Sequence, residues 1–519
     1  MSTPSEDSSP HSQAAASLST WFGFIAMCLG MFMAILDIQI VVTSLPAIRD
    51  ALAINAESMS WIQTTYLIAE IIAIPITGFL TRALSMRRLF IIALSVFVLA
   101  SIACALAPGF NSLLVARAVQ GFAGGCLIPL VFSAVFLMFP VRTQGAATTV
   151  AGVLAVLAPT LGPTIGGYIT QTYSWPWLFL INVVPGLVSL AVAYFTLSVT
   201  SKDPQLLRRL DWLSLISLAL ALAALEIALK EGPVRGWGSA IVLSLSALFV
   251  ACAWGFIRRT LGSDEPVAQL RLLRDRNFAI ACALSFVFGV GLFSSVYLMP
   301  VFLGLVRHHG PLAIGLIMLV TGVAQLVSAP IAAHLESRVD ARVLTAGGFL
   351  LFAIGLGLSG FQTIDTDFDE MFWPQVVRGV AIMFCLIPPT RLALGLLLAH
   401  QIPDGSALFN LMRNLGGAIG IAAVDTIIWQ RSPLHAEQLG QQILAGNEQA
   451  AQFVGIPIQL LGNVGAGVST EQMTFAMPMI ENAALVLAIN DAWLMLAVLT
   501  GGALCLIAGA TKVTPSKAR

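Results

Sequence analysis

Apolar stretches of roughly 20 residues, separated by short polar connections, run along almost the whole chain. An α-helix needs about 20 apolar residues to cross a hydrocarbon layer ~30 Å thick. Only helices and closed barrels satisfy their own backbone polar groups there. The pattern predicts fourteen spans, at 21–42, 58–79, 88–107, 112–138, 146–169, 177–198, 212–229, 238–257, 278–304, 312–334, 342–361, 372–396, 405–429 and 490–511. The fold class that follows is an all-α polytopic membrane protein.

The connections alternate between basic and nearly neutral. With the N-terminus inside, the inner loops and the C-terminal tail hold seventeen of the 26 Lys and Arg residues and the outer loops five. Because basic loops stay on the cytoplasmic side, both termini are expected in the cytoplasm. Residues 1–20 are polar, Ser-rich and free of Lys and Arg. They lack the basic start of a cleavable signal and read as a disordered cytoplasmic tail, since so polar a stretch cannot bury a core. Outer residues 430–489 form a long connection where most are short, with an amphipathic stretch at Glu437–Gln452 and a Gly-rich turn at Leu461–Ser469.

Composition agrees with the pattern, at 58% hydrophobic and 10% charged with zero net charge, which gives no hint of a nucleic-acid partner. All seven cysteines fall in spans with no C-x-x-C. They read as packing residues, so neither disulfides, a metal site nor a cofactor is expected. No nucleophile–base constellation and no Gly-rich phosphate loop occurs, which disfavours an enzyme and an ATP-driven pump.

An ionisable group inside a span costs on the order of 2.5–3.5 kcal/mol by insertion scales and is a functional candidate by default. Asp37 of span 1 and Arg117 of span 4 lie at similar depth near the outer side and carry opposite charges, so a pair is expected. Glu70 lies near the middle of span 2 with no basic neighbour in its own helix. Desolvation disfavours a carboxylate at that depth, which makes Glu70 a candidate proton carrier. Gln63, Tyr66 and Glu70 share one helical face, expected to point into a cavity. Span 13 carries a second polar face with Asn410, Asn414 and Asp425, and Arg413 beside it. Asp425, close to the interfacial Trp429, is a secondary candidate, as are Glu226 of span 7 and Arg378 of span 12. Pro388-Pro389, after Arg378, is expected to break the helix ladder.

Span 5 ends in LAPTLGPTIGGYI, with Gly162, Pro163, Gly166 and Gly167 close together. Small residues let helix backbones approach and proline bends them, so a bent span packed tightly across the interface between two bundles is expected.

These residues resemble the fourteen-span drug:proton antiporters of the EmrB/QacA type within the major facilitator superfamily, over about residues 20–511. Asp37 with Leu45-Pro46 is similar to that group's first-helix motif, and LLVARAVQGFAGG, containing Arg117, to its fourth-helix motif. GPTIGGYI resembles the fifth-helix antiporter motif. WIQTTYL, Asp275–Phe278 and Trp373–Gly379 add to the likeness. The loop after span 2 departs from it. Where the superfamily reads like G-x-L-a-D-r-x-G-r-[KR], this chain has Gly78-Phe79-Leu80-Thr81-Arg82-Ala83-Leu84-Ser85-Met86-Arg87-Arg88, without the acid or the second glycine.

The resemblance implies two six-helix bundles, 21–198 and 278–511, with two inserted helices and a linker at 199–277 and a short cytoplasmic tail at 512–519. It implies proton coupling through Asp37, Glu70 and Arg117, and a central cavity to which Gln63, Tyr66, Gln120, Asn410, Arg413 and Asn414 are expected to contribute. The implied function is proton-coupled export of hydrophobic or amphipathic compounds across a bacterial inner membrane. A periplasmic membrane-fusion adaptor and an outer-membrane channel are implied partners. The alternatives are a dedicated exporter of one metabolite and, disfavoured by the span 5 motif, a proton-coupled uptake symporter.

Overall fold

The computed structural model describes residues 17–42, 44–54, 59–198, 205–208, 210–263, 266–336, 338–456 and 470–510. Fourteen helices among them are long and apolar enough to cross a membrane. They are α1 (Leu18–Val42), α2 (Trp61–Leu84), α3 (Met86–Ala105), α4 (Phe110–Met138), α5 (Val141–Thr172), α6 (Trp177–Thr196) and α7 (Trp212–Arg235). The rest are α8 (Ala240–Gly262), α9 (Arg276–Leu305), α10 (Pro311–Glu336), α11 (Ala341–Leu358), α12 (Phe368–Leu394), α13 (Ile402–Leu444) and α14 (Thr470–Ile507). No strand occurs among the described residues, and the all-α polytopic class holds. The expected disordered tail (but for 17–20), the tail at 512–519 and the Gly-rich turn at 461–469 lie outside the described residues.

Helices α1 to α6 pack on one another, with α4 against α2 and α3, and α1 against α5 and α6. Helices α9 to α14 form a second group, with α9 on α13, α12 on α10 and α11, and α14 on α11 and α13. The two most extensive contacts between the groups are α5 with α10 and α2 with α13, with α4 on α13 and α5 on α12 adding to them. The α7–α8 hairpin leans on this seam through α7, which touches both α2 and α13. On α8, Leu243, Val250 and Trp254 stay exposed, as a lipid-facing helix requires. Asp211 caps the start of α7 and receives two hydrogen bonds of 3.0 Å from Arg259 of α8. That guanidinium, with the Ser214 hydroxyl and amide, holds the Asp211 carboxyl well below the usual carboxylate range.

Three local features differ from expectation. The outer connection at 430–489 is largely helix: α13 continues through Pro433 to Leu444, a short helix covers Glu448–Val454, and α14 already begins at Thr470. Polar residues after Trp429 end the hydropathy signal without ending the helix. Leu439 and Ile443 bury one apolar stripe against Ile480, Ala483 and Ala484 of α14. Arg431 and His435 both reach Asp491 of α14 at 2.8 Å. Second, Pro388-Pro389 does not break α12, which is continuous to Leu394. Buried proline is tolerated in a bilayer because neighbouring helices support the interrupted turn, here with Gly348 of α11 lying against Phe384.

Third, span 5 packs across the seam on α10 as expected, but Gly162 does not make that contact. A Cβ at Gly162 would run into Gln39 of α1, and the Gly166 carbonyl accepts from Ser44 at 3.5 Å, both within the first bundle. Gly166 and Gly167 are buried. Across the seam the small residues sit on the other helix. A Cβ at Gly315 of α10 would lie 2.6 Å from the backbone of Thr164, and one at Gly322 3.0 Å from the Thr160 methyl. Backbone cannot yield as a flexible side chain does, so Gly315→Val is expected to wedge the bundles apart and cut export at least tenfold. Gly347→Val, placed in open space, is the control. Equal export by both variants in membranes of equal content would contradict this reading of the seam.

Candidate functional site

The first charged cluster is built by a break in a helix. Pro185 has no N–H to offer the Ile181 carbonyl, and α6 is interrupted between Leu180 and Val183. The break turns Asn182 inward, where its amide donates to Asp37 Oδ1 at 2.7 Å. Gln120 Nε2 donates to the same oxygen at 3.0 Å and to Ser101 at 2.9 Å. Arg117 forms an ion pair with Asp37, donates to Gln120 at 2.8 Å, and donates through Nε to the Ile62 carbonyl at 3.2 Å. Its guanidinium lies 4.3 Å over the Tyr66 ring. Asp37, Arg117 and Gln120 are all fully buried. One network therefore ties α1, α2, α3, α4 and α6 together. The expected Asp37–Arg117 pair forms, while Ser101 and Asn182 were not singled out from the sequence. A lone Asn in the apolar run LFLINVV was the available signal.

The second cluster lies at the seam. Glycines bring α2 and α4 into backbone contact. A Cβ at Gly125 would stand 2.5 Å from the Glu70 carbonyl, and one at Gly121 would run into that of Tyr66. Glu70 is 3% exposed, on a helix that also packs on α13 of the second bundle. Glu70 takes part in no ion pair among the described residues. Arg413 donates to Asn410 and lies 5.3 Å over Phe132 of α4, so a cation of the second bundle sits against the first. Helix α7, which carries the secondary candidate Glu226, packs against α2, which carries Glu70.

The cavity-lining expectation is corrected in part. Gln63 and Asn414 are half-buried, while Tyr66, Gln120 and Asn410 are fully buried. Tyr66 donates to the Ala34 carbonyl at 2.9 Å and Asn410 to the Ser406 carbonyl at 2.9 Å. A buried polar group must find a partner, and neighbouring helices supply it here in place of a cavity. Asp425 is not simply solvated at the rim, since Tyr297 of α9 donates to it at 2.7 Å. Arg378 is 3% exposed and stacks 4.7 Å over Trp493 of α14. The cysteines are free, and no group of metal-ligating side chains occurs among the described residues.

A third pair, Arg82 with Asp404, is not foreshadowed by any spacing along the chain. Arg82, which stands where the related loop pattern carries its acid, forms an ion pair with Asp404 in the first turn of α13. Asp404 is 3% exposed, and Gly78 lets it approach so closely that a Cβ there would lie 2.6 Å from its Oδ1. The acid missing from the loop has its counterpart on the opposite bundle, with the charges exchanged. Arg82→Asp sets two carboxylates together and is expected to reduce export at least tenfold. Arg82→Asp with Asp404→Arg restores the pair and is expected to recover most of it. Efflux rates at matched expression check this, and a double variant no better than the single would show that pairing is irrelevant.

Residues 27–421 match the family model described as Major Facilitator Superfamily. The chain is similar to the colistin resistance protein EmrB of Acinetobacter baumannii, at 37% identity over 432 residues, covering 83% of this chain and 84% of that protein. It is similar to the multidrug export protein EmrB of Escherichia coli K12, at 29% identity over 476 residues and 91% of each chain. Among solved structures, the human organic anion transporter MFSD10 (TETRAN) shares the fold, with a TM-score of 0.57 at 13% identity over 93% of this chain and 99% of that one.

Proposed function

We infer the function from a premise now in place: the chain belongs to the Major Facilitator Superfamily. It is a proton-coupled efflux transporter of hydrophobic or amphipathic compounds, a reading carried by its relatives named for multidrug export. Coupling through Glu70 is supported by its being a deeply buried carboxyl that takes part in no ion pair among the described residues, on a helix packed against α7 and α13.

On this reading, ionised Glu70 attracts Arg413 across the α2–α13 seam and draws the bundles together. Protonation removes that attraction, and the bundles rock about a binding region near the midplane, as repeats do in this class of transporter. Arg117 pairs with Asp37 and stacks on Tyr66, one helical turn before Glu70, so a change at one carboxyl is passed toward the other. The Arg82–Asp404 pair latches the inner end of the same seam. Segments 21–198 and 278–511 move as bodies, and 199–277 contributes Glu226. Asn414 and Gln63, half-buried on the facing helices α13 and α2, are the first residues available to a substrate.

The protein resides in a bacterial inner membrane with both termini cytoplasmic. The helical extension of α13 and α14 on the outer side, with its own apolar core, is the docking surface for a periplasmic adaptor leading to an outer-membrane channel. The experiment is proton release from inside-out vesicles. Adding an amphipathic dye to respiring vesicles is expected to collapse part of the pH gradient only when the protein is present. A gradient that dye leaves untouched, in vesicles that contain the protein, would contradict proton-coupled export.

A further inference from the structure

The fourth helix of each bundle buries one arginine, and the two are provided for differently. Arg117 has the Asp37 carboxylate, Gln120 and a backbone carbonyl. Arg378 has no ion-pair partner among the described residues, its Nε is buried without an acceptor, and only the Trp493 ring faces it. A buried cation stripped of its partner is strongly destabilising.

Two adjoining cavities meet at Arg378. The larger, of about 160 Å³, has an apolar wall of Met299, Phe361 and Met371 facing a polar one that includes Gln362, Thr363 and Thr366. An apolar cavity of roughly this volume accommodates a benzene ring. The narrower one carries Gln375, Gln325 and Ser295. Gln375 Nε2 and Trp493 Nε1 are, like Arg378 Nε, buried donors without acceptors, on residues that are fully buried. Glu370 is the one acid lining either cavity; it accepts from the Asp367 amide at 3.0 Å and caps the outer end of α12.

We propose that Arg378, with Gln375 beside it, forms an anion site for an aromatic monocarboxylate, whose ring lies along the Met299, Phe361 and Met371 wall of the larger cavity. A planar guanidinium matches a carboxylate bidentately, and the ring-sized cavity beside it selects the tail. The site deepens the export reading by naming a substrate class, and rests on it for that role.

The test is binding of benzoate and of benzamide, its neutral near-isostere, to the full-length detergent-purified protein without any pH gradient. Wild type is expected to bind benzoate at least tenfold more tightly. R378Q is expected to lose the preference, and R378K to keep part of it. Should R378Q not fold, Gln375→Leu, which leaves the arginine in place, is expected to weaken benzoate severalfold and benzamide little. Equal binding of the two ligands by wild type, a preference that survives R378Q, or displacement of benzoate by equimolar inorganic phosphate would each overturn the site. Intact benzoate selectivity in a protein that fails to export would overturn the export reading and leave the site standing.

Discussion

Replacing Asp37 by alanine is expected to destabilise the protein by about 3–5 kcal/mol, because it leaves Arg117 buried with its counter-ion gone. Export should fall to background. Arg117→Gln strands the carboxylate in the same way, since Asp37 is fully buried among Asn182, Gln120 and Arg117. Asp37→Ala with Arg117→Gln removes both charges, and its loss should fall short of the sum of the two single losses by about 1–3 kcal/mol, as for residues in one network. Thermal unfolding of the four purified proteins measures this. Strict additivity would mean that the pair carries no coupling energy.

The other large effect is expected at Glu70. Glu70→Gln preserves shape and removes the titrating group, so the protein should insert and unfold like wild type while export driven by a proton gradient is abolished. The carboxyl takes part in no ion pair that the substitution would break, which separates this variant from those at Asp37. A stability loss as large as that of Asp37→Ala would indicate a structural role instead.

The spans were legible because lipid imposes one rule on every crossing segment, and a hydropathy window reads that rule directly. Asp37, Glu70 and Arg117 were legible for the complementary reason, that a charge in such a segment needs a use. What escaped depends on contacts distant in sequence. Asp404 reads as an ordinary first-turn acid until α2 and α13 are laid together, and only then does it meet Arg82. Asn182 gains meaning from the break in α6. Gln120 was expected at a cavity wall because its helix lines one, yet its side chain turns into the bundle toward Asp37. The glycines of α5 showed that a close approach exists but not to which neighbour, and the cross-bundle approach uses Gly315 and Gly322 of α10. Helix α13 outran its hydropathy signal because its polar extension is held by α14 and not by lipid.

The central claim, that Glu70 couples a proton to export, is tested most directly in proteoliposomes holding wild type or Glu70→Gln, assayed for both gradient-driven substrate accumulation and gradient-free exchange of substrate across the membrane. The account predicts that wild type performs both and that Glu70→Gln retains exchange while losing accumulation, because the binding region and the rocking seam survive without the proton. Accumulation by Glu70→Gln at the wild-type rate under the same pH gradient would contradict it.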